Sequence, residues 1–142
     1  MKSPIGAPPA SPAQHPVRVG YVDTDKAGVV HHSSYLAYFE AARIEHQRAR
    51  GLEYRRFEEE TGLALPVVEA HLRYRAPARF DDQLVIESWV QELTRAKVSY
   101  AQRVMRADTV LVEARIVLAC VNMNEERITS IPEVIAKTCR TP

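Results

Sequence analysis

Four long stretches in the second half of this chain alternate apolar and polar residues with a period of two: 63–74, 84–93, 96–106 and 110–121. That period marks strands with one buried face. The links between the last three and their predecessors are short: Ala76-Pro-Ala-Arg-Phe-Asp-Asp82, Thr94-Arg95 and Ala107-Asp-Thr109. Parallel neighbours need a crossover of about a dozen residues or more, so these strands are antiparallel. A single long helical segment precedes them. One helix cannot cover a broad sheet unless the sheet curls around it. The pattern therefore predicts an α+β fold: a five-stranded antiparallel sheet curled around one central helix, with open edges that invite a second copy.

The fifth strand is expected over residues 17–23, with Val17, Val19 and Tyr21 on one face. Ser33 or Ser34 is the expected N-cap of the helix, which runs to about Arg50 with Gly51 just beyond its end. Its first half, from Tyr35 to Ala42, is apolar nearly all round and is expected to be enclosed. Its second half, with Glu45, His46, Gln47, Arg48 and Arg50, is expected to emerge into solvent. A short second helix follows over residues 54–61, ended by Gly62, and a last helical turn is expected over 131–138. Residues 1–16 carry Pro4, Pro8, Pro9, Pro12 and Pro16, five of the nine prolines, and read as a disordered tail. The ordered part is then one domain over residues 17–142.

Composition narrows the function classes. Hydrophobic residues at 46% and charged residues at 26% are ordinary for a globular domain, and a formal net charge of +1 gives no global pull towards nucleic acid. No apolar run reaches the ~20 residues of a membrane span, and no stretch reads as a signal peptide. The two cysteines, Cys120 and Cys139, make no disulfide framework, and Cys120 sits in an apolar run as a buried thiol. A cytoplasmic protein is expected.

The chemistry gathers in Tyr21-Val-Asp-Thr-Asp-Lys-Ala-Gly-Val-Val-His-His-Ser-Ser-Tyr35. Two carboxylates and two imidazoles are carried through a glycine turn to a helix N-terminus, whose unpaired N–H groups and partial positive charge suit a developing oxyanion. A carboxylate beside an oxyanion site points to hydrolysis of an activated acyl group. Read plainly, Asp23 or Asp25 closes an Asx-turn. A metal site from Asp23, Asp25, His31 and His32 has suitable residue types, but adjacent histidines rarely share one ion and no H-x-H or H-x-x-x-H pair is present, so no metal is expected.

This segment, continued through Leu-Ala-Tyr-Phe-Glu-Ala-Ala-Arg43, resembles the hot-dog-fold acyl-CoA thioesterases of the 4-hydroxybenzoyl-CoA thioesterase type, closest to their Tol–Pal-associated (YbgC-like) branch. Tyr74-Arg-Ala-Pro-Ala-Arg-Phe-Asp-Asp82-Gln-Leu resembles the same family's strand-loop-strand segment, so the likeness spans about residues 17–132. The resemblance implies hydrolysis of a short-chain or aromatic acyl-CoA, or an acyl carrier protein thioester, without metal or organic cofactor. Asp25 matches the catalytic carboxylate, acting as nucleophile or as general base on water. His32 matches the position whose backbone N–H polarises the thioester carbonyl, and its ring is expected in the site, orienting water or protonating the thiolate. Gly28 and Val29 shape the loop between them. Arg95 and Lys97 match a phosphate-contacting hairpin, and Arg73 belongs to a second basic stretch suited to coenzyme A phosphates.

Asp23 is expected to brace the loop, Tyr35 to pack, Glu40 and Arg43 to form an i,i+3 pair, and Tyr38, Phe39 and Trp89 to lie in the core. Lys26 and His31 depart from the family's usual small and aromatic residues. A homodimer is expected, assembling further into a tetramer. The competing readings are a hot-dog acyl-thioester dehydratase, against which the D-T-D segment argues, and a non-catalytic acyl-CoA or acyl-carrier-protein binding module, against which retention of the family's motifs argues.

Overall fold

Period-two alternation becomes antiparallel sheet, but the 63–74 stretch is broken at Pro66 and the first strand lies earlier than expected. The computed structural model describes residues 2–140. Its elements are β1 (Ala13–Arg18), a 3₁₀ turn (Tyr21–Asp23), α1 (Ser34–Ala49), α2 (Tyr54–Thr61), β2 (Leu63–Ala64), β3 (Val67–Tyr74), β4 (Gln83–Leu93), β5 (Lys97–Arg106), β6 (Thr109–Ala119), β7 (Val121–Asn122), β8 (Arg127–Ile128) and α3 (Glu133–Arg140). The main sheet has five antiparallel strands in the order β1-β4-β5-β6-β3, and β2-β7-β8 form a small second sheet. The α+β fold of one five-stranded antiparallel sheet around α1 is thus as expected.

One face of the sheet presents Leu84, Ile86, Val98, Tyr100, Val104 and Ile116 to α1, which returns Tyr35, Tyr38, Phe39 and Ala42; all are buried. At about 25 cal/mol per Å² of apolar surface, this shared layer is the main source of stability. Among the described residues, no helix is long and apolar enough to cross a membrane.

Several expectations need correction. The first strand is Ala13–Arg18, so its start lies inside the proline-rich segment read as a tail, and residues 21–23 form a tight turn instead. Pro16 is compatible because β1 is an edge strand, where a missing N–H costs no ladder bond. Farther upstream, the Gly6 N–H donates to Gln91 Oε1 (3.1 Å) and Ser3 Oγ donates to Glu113. The stretch 63–74 is two strands, since Pro66 breaks the ladder: β2 pairs with β7, β3 with β6.

Burial of α1 follows a side and not a half. Leu36, Ala37 and Ala41 of its first half are exposed, whereas Arg43, His46 and Gln47 are buried. The buried set Tyr35, Tyr38, Phe39, Ala42, Arg43, His46 and Gln47 has the helical period, but polar residues fill its later positions. The sheet curls along the whole helix, and each polar group finds a partner: Arg43 Nη1 donates to Gln102 Oε1 (3.0 Å), and the Tyr100 hydroxyl meets His46 Nδ1 at 2.9 Å. Arg43 therefore reaches into the core and does not form the expected hydrogen-bonded pair with Glu40. Trp89 is half-buried, with the Arg103 guanidinium 5.9 Å from its ring.

Candidate active site

The chain leaves β1 held to the loop before β4: Val19 N–H donates to Asp82 O (3.0 Å) and Asp81 N–H to Val19 O (3.0 Å). Asp82 fixes that loop in turn, with Oδ2 accepting the Arg79 N–H (2.9 Å) and Arg106 Nη1 (2.8 Å). Burial pushes the Asp82 carboxyl up, but these donors more than offset it and hold it below the usual carboxylate range. In the 3₁₀ turn, Asp23 Oδ2 accepts the Gly20 N–H (3.2 Å) and the Tyr38 hydroxyl (2.8 Å). Burial, and then this bond to a carboxylate, push the Tyr38 hydroxyl far above the ordinary phenol value, so it serves as a fixed donor.

The next residues close into a small loop. Thr24 and Val30 bridge antiparallel, Asp25 N–H donates to Val29 O (2.9 Å), and Gly28 N–H donates to Asp25 O (3.0 Å). Gly28 has φ +83°, a left-handed conformation that costs an L-residue energy and a glycine little. Val29 bridges to Arg79, and Val30 N–H donates to Ala78 O (2.8 Å), anchoring the loop to the β3–β4 connection. Asp25 stands exposed at the mouth of this loop, with Oδ1 accepting the Ala27 N–H (2.9 Å).

The entry to α1 is capped by an unexpected residue. Ser33 occupies the N-cap position without a side-chain cap bond. His31 does the work: its Nδ1 accepts the Ser33 N–H (3.2 Å), its carbonyl accepts the Ser34 N–H (2.9 Å), and its own N–H is spent on Asp23 O (2.8 Å). Ser34 Oγ also donates to Asp23 O (3.1 Å). None of these bonds uses the His32 N–H. The His32 ring lies 4.2 Å from that of His31, and the His32 carbonyl accepts the Tyr74 hydroxyl (3.1 Å). A shallow cavity of about 280 Å³ opens beside it, lined by Val30, His32, Tyr35, Tyr74, Arg75 and Pro77 among others. Asp25 is not in its lining; it lies at the loop mouth, next to the Thr24–Val30 bridge.

The structure therefore gathers Asp25, Gly28 and Val29 in the closed loop from Thr24 to Val30, with His32 two residues beyond it at the entry to α1. It does not bring the proposed phosphate contacts there within one chain. Arg95 and Lys97 lie at the β4–β5 hairpin, where Arg95 Nε donates to Ser130 Oγ (3.0 Å). Tyr74 is in register with Val112, and Val112 with Val104, so Lys97 is seven strand positions away, roughly 23 Å along β5. Arg73 is near the site in sequence, but it alternates to the face opposite Tyr74, in register with Glu113. Among the described residues, no three His, Cys, Asp or Glu side chains converge to hold a metal ion.

No role at the site is expected of Tyr74 from the sequence, whereas Tyr35 is expected to pack close to it. Tyr74 holds the His32 carbonyl, and Tyr35, buried as expected, accepts the Ala78 N–H on its hydroxyl (3.2 Å). Their only sequence signal is that each ends or begins a regular element, which does not distinguish them from other tyrosines.

Known proteins resemble this chain in sequence and in overall fold. The sequence profile of the thioesterase-like superfamily matches residues 19–138. The chain is 37% identical over 120 residues to the acyl-CoA thioesterase YbgC of Haemophilus influenzae, covering 84% of this chain and 88% of that one. It is 36% identical to the acyl-CoA thioester hydrolase YbgC of an Escherichia coli strain, over 84% and 90% of the two chains. A crystal structure of a hypothetical protein from Thermus thermophilus superposes with a TM-score of 0.83 at 37% identity, over 89% of this chain and 96% of that one. The chain belongs to the thioesterase-like superfamily and is a thioester hydrolase of the hot-dog fold.

Proposed function

We propose that this protein is a cytoplasmic acyl-CoA thioesterase that hydrolyses a short-chain or aromatic acyl-CoA to the free acid and coenzyme A. The observation that carries the reading is the closed loop from Thr24 to Val30, which leaves Asp25 exposed, followed two residues on by the uncommitted His32 N–H at the start of α1. The His32 N–H polarises the thioester carbonyl, a contribution worth roughly 10²–10³ in rate for one such donor. Asp25 either attacks the carbonyl carbon, expelling the thiolate and leaving a mixed anhydride for water to cleave, or takes a proton from the attacking water. In both routes the thiolate leaves and is protonated, and water supplies the new oxygen. Coenzyme A is part of the substrate, and neither route calls on a metal or organic cofactor.

The working unit is a homodimer. Strand β3 is an edge of the sheet, with Val67, Val68 and Tyr74 each nearly half exposed. Two-fold antiparallel pairing of β3 with its copy sets the Val67 end of one chain beside the Tyr74 end of the other. That brings the hairpin bearing Arg95 and Lys97 towards the other chain's Asp25, where both can meet coenzyme A phosphates.

Asp25→Asn, assayed by thiol release across a panel of acyl-CoA esters, is expected to lose at least ~10³-fold in kcat with an unchanged thermal melt. An unaltered rate would overturn the assignment. In rapid-quench experiments, a burst of thiol ahead of free acid identifies the anhydride route.

A further inference from the structure

Two polar side chains far from the loop of Asp25 are more than nine-tenths buried and still face a groove. Ser88 and His46, 2% and 5% exposed, both line two cavities of about 470 and 390 Å³. The cavities also share Ser11, Ala13 and Arg50, so they form one groove between the C-terminal half of α1, the start of β1 and the middle of β4. His46 is twelve residues along α1 from Ser34, roughly 18 Å, which separates the groove from the candidate active site.

Hydrogen bonds inside the core leave both side chains as donors. The Gln47 amide donates to the Tyr100 hydroxyl, which turns its own hydrogen to His46 Nδ1 (2.9 Å). That fixes the tautomer, with the ring proton on Nε2. Burial, and then the charge of Arg50, lower the imidazole to about 4, so the ring is neutral at neutral pH. Ser88 Oγ accepts the Gln102 amide (2.9 Å), and its O–H remains to donate. Tyr100 and Gln102 lie two apart on one face of β5, so the donors they orient stand side by side, within roughly 7 Å. The charges at the rim are already engaged: Arg50 Nη1 donates to His46 O (3.4 Å), Arg140 is paired with Glu133, and Glu45 with Arg48. Pro12, Trp89 and Val90 supply apolar wall at one end, and Ala42 and Ile86 at the other.

We propose that this groove is a second binding site, for a neutral apolar molecule carrying a carbonyl oxygen, a ketone or an ester: the oxygen accepts from the Ser88 O–H and the His46 Nε2–H, and the body lies along Trp89, Val90 and Pro12. Neutral donors beside engaged cations select an uncharged acceptor over a carboxylate, which would leave water for a site that offers it no ion pair. A groove of this size suits such a ligand. The site goes beyond the thioesterase reading and stands without it.

Trp89 is the only tryptophan in the chain, so its emission reports occupancy of the groove. Methyl hexyl ketone is titrated into the full-length protein at neutral pH, with octanoate and octylammonium as charged controls of similar length. The ketone is expected to give a saturable change in Trp89 emission, with both controls binding at least tenfold more weakly. Ser88→Ala removes one donor while Gln102 keeps its bond to Phe39 O, and is expected to weaken ketone binding about threefold to tenfold. Ala13→Phe, which places a ring in the groove, is expected to weaken it at least tenfold. Asp25→Asn is expected to bind like the parent protein, which separates this site from the fate of the catalytic assignment. Thermal melts check that the variants fold, and Ser88→Ala decides alone if Ala13→Phe does not. No saturable change up to the solubility limit of the ketone overturns the proposal. So does equal binding of either control, undiminished binding in Ser88→Ala, or a response lost in Asp25→Asn.

Discussion

Asp23 and Asp25 are the same side chain two positions apart, yet they take opposite fates. Asp23 turns inward, where Tyr38 and Gly20 claim one oxygen and its carbonyl holds His31 and Ser34. Asp25 is left exposed because Gly28 lets the following loop fold back on its own backbone. A Cβ at Gly28 would meet nothing within 4 Å, so Gly28→Ala carries backbone strain without a clash. The expected loss is about 1 kcal/mol, a melting temperature lower by roughly 2–8 °C, together with a reduced kcat. Calorimetry and the thiol-release assay check the two halves of this prediction. The bracing part of Asp23 was readable from its place beside a turn. The cap supplied by His31 was not, because a histidine before two serines looks like loop, and the serines are the commoner caps.

At the scale of the element, α1 stabilises the fold through polar groups as well as through Tyr35, Tyr38 and Phe39. Arg43 is buried, and its guanidinium leans on Gln102, which also donates to Phe39 O (3.0 Å) and Ser88. Gln102→Leu removes the acceptor of a buried guanidinium and is expected to cost about 1.5–3 kcal/mol. The double substitution Arg43→Met with Gln102→Leu is expected to recover most of the loss in chemical denaturation.

His46 gives α1 a pH dependence. Burial first, and then the charge of Arg50, lower its imidazole from the ordinary 6.5 to about 4. The unfolded chain therefore takes up the proton before the folded one does. Stability from a neutral His46 is fully present above pH 6.5 and is lost as pH falls through about 4, by on the order of 3 kcal/mol. The melting temperature of His46→Gln, followed from pH 7 to pH 4, is expected to fall less steeply than that of the parent protein. An equal slope would show that His46 does not carry the effect.

For the whole molecule, the proposed assembly turns on β3. Among the described residues no strand lies on its outer side, and residues 67–74 contain neither glycine nor proline to blunt the edge. The exposed Leu36, Ala37 and Ala41 of α1 add an apolar face. Val68→Lys puts a charge on that edge and is expected to shift the mass measured by light scattering to that of a monomer. Thiol release is expected to fall with it, because the hairpin of Arg95 and Lys97 then has no second chain to serve. A dimer mass retained in Val68→Lys would place the interface elsewhere.

Period-two alternation and short links determined the antiparallel sheet, the single long helix determined that the sheet must curl, and glycine with its neighbouring acids determined where the loop of Asp25 lies. These are local consequences of backbone geometry, so the sequence carries them unaided. Three features waited for the tertiary structure. The strand hidden in the proline-rich start depends on β4 offering an edge to pair with. The buried side of α1 depends on acceptors from β5, which let Arg43 and His46 occupy positions that a hydropathy pattern assigns to solvent. The separation of Lys97 from Asp25 depends on strand register, set by contacts between residues distant in the chain. Each is decided by a partner brought from elsewhere in the sequence, and no local pattern records which partner arrives.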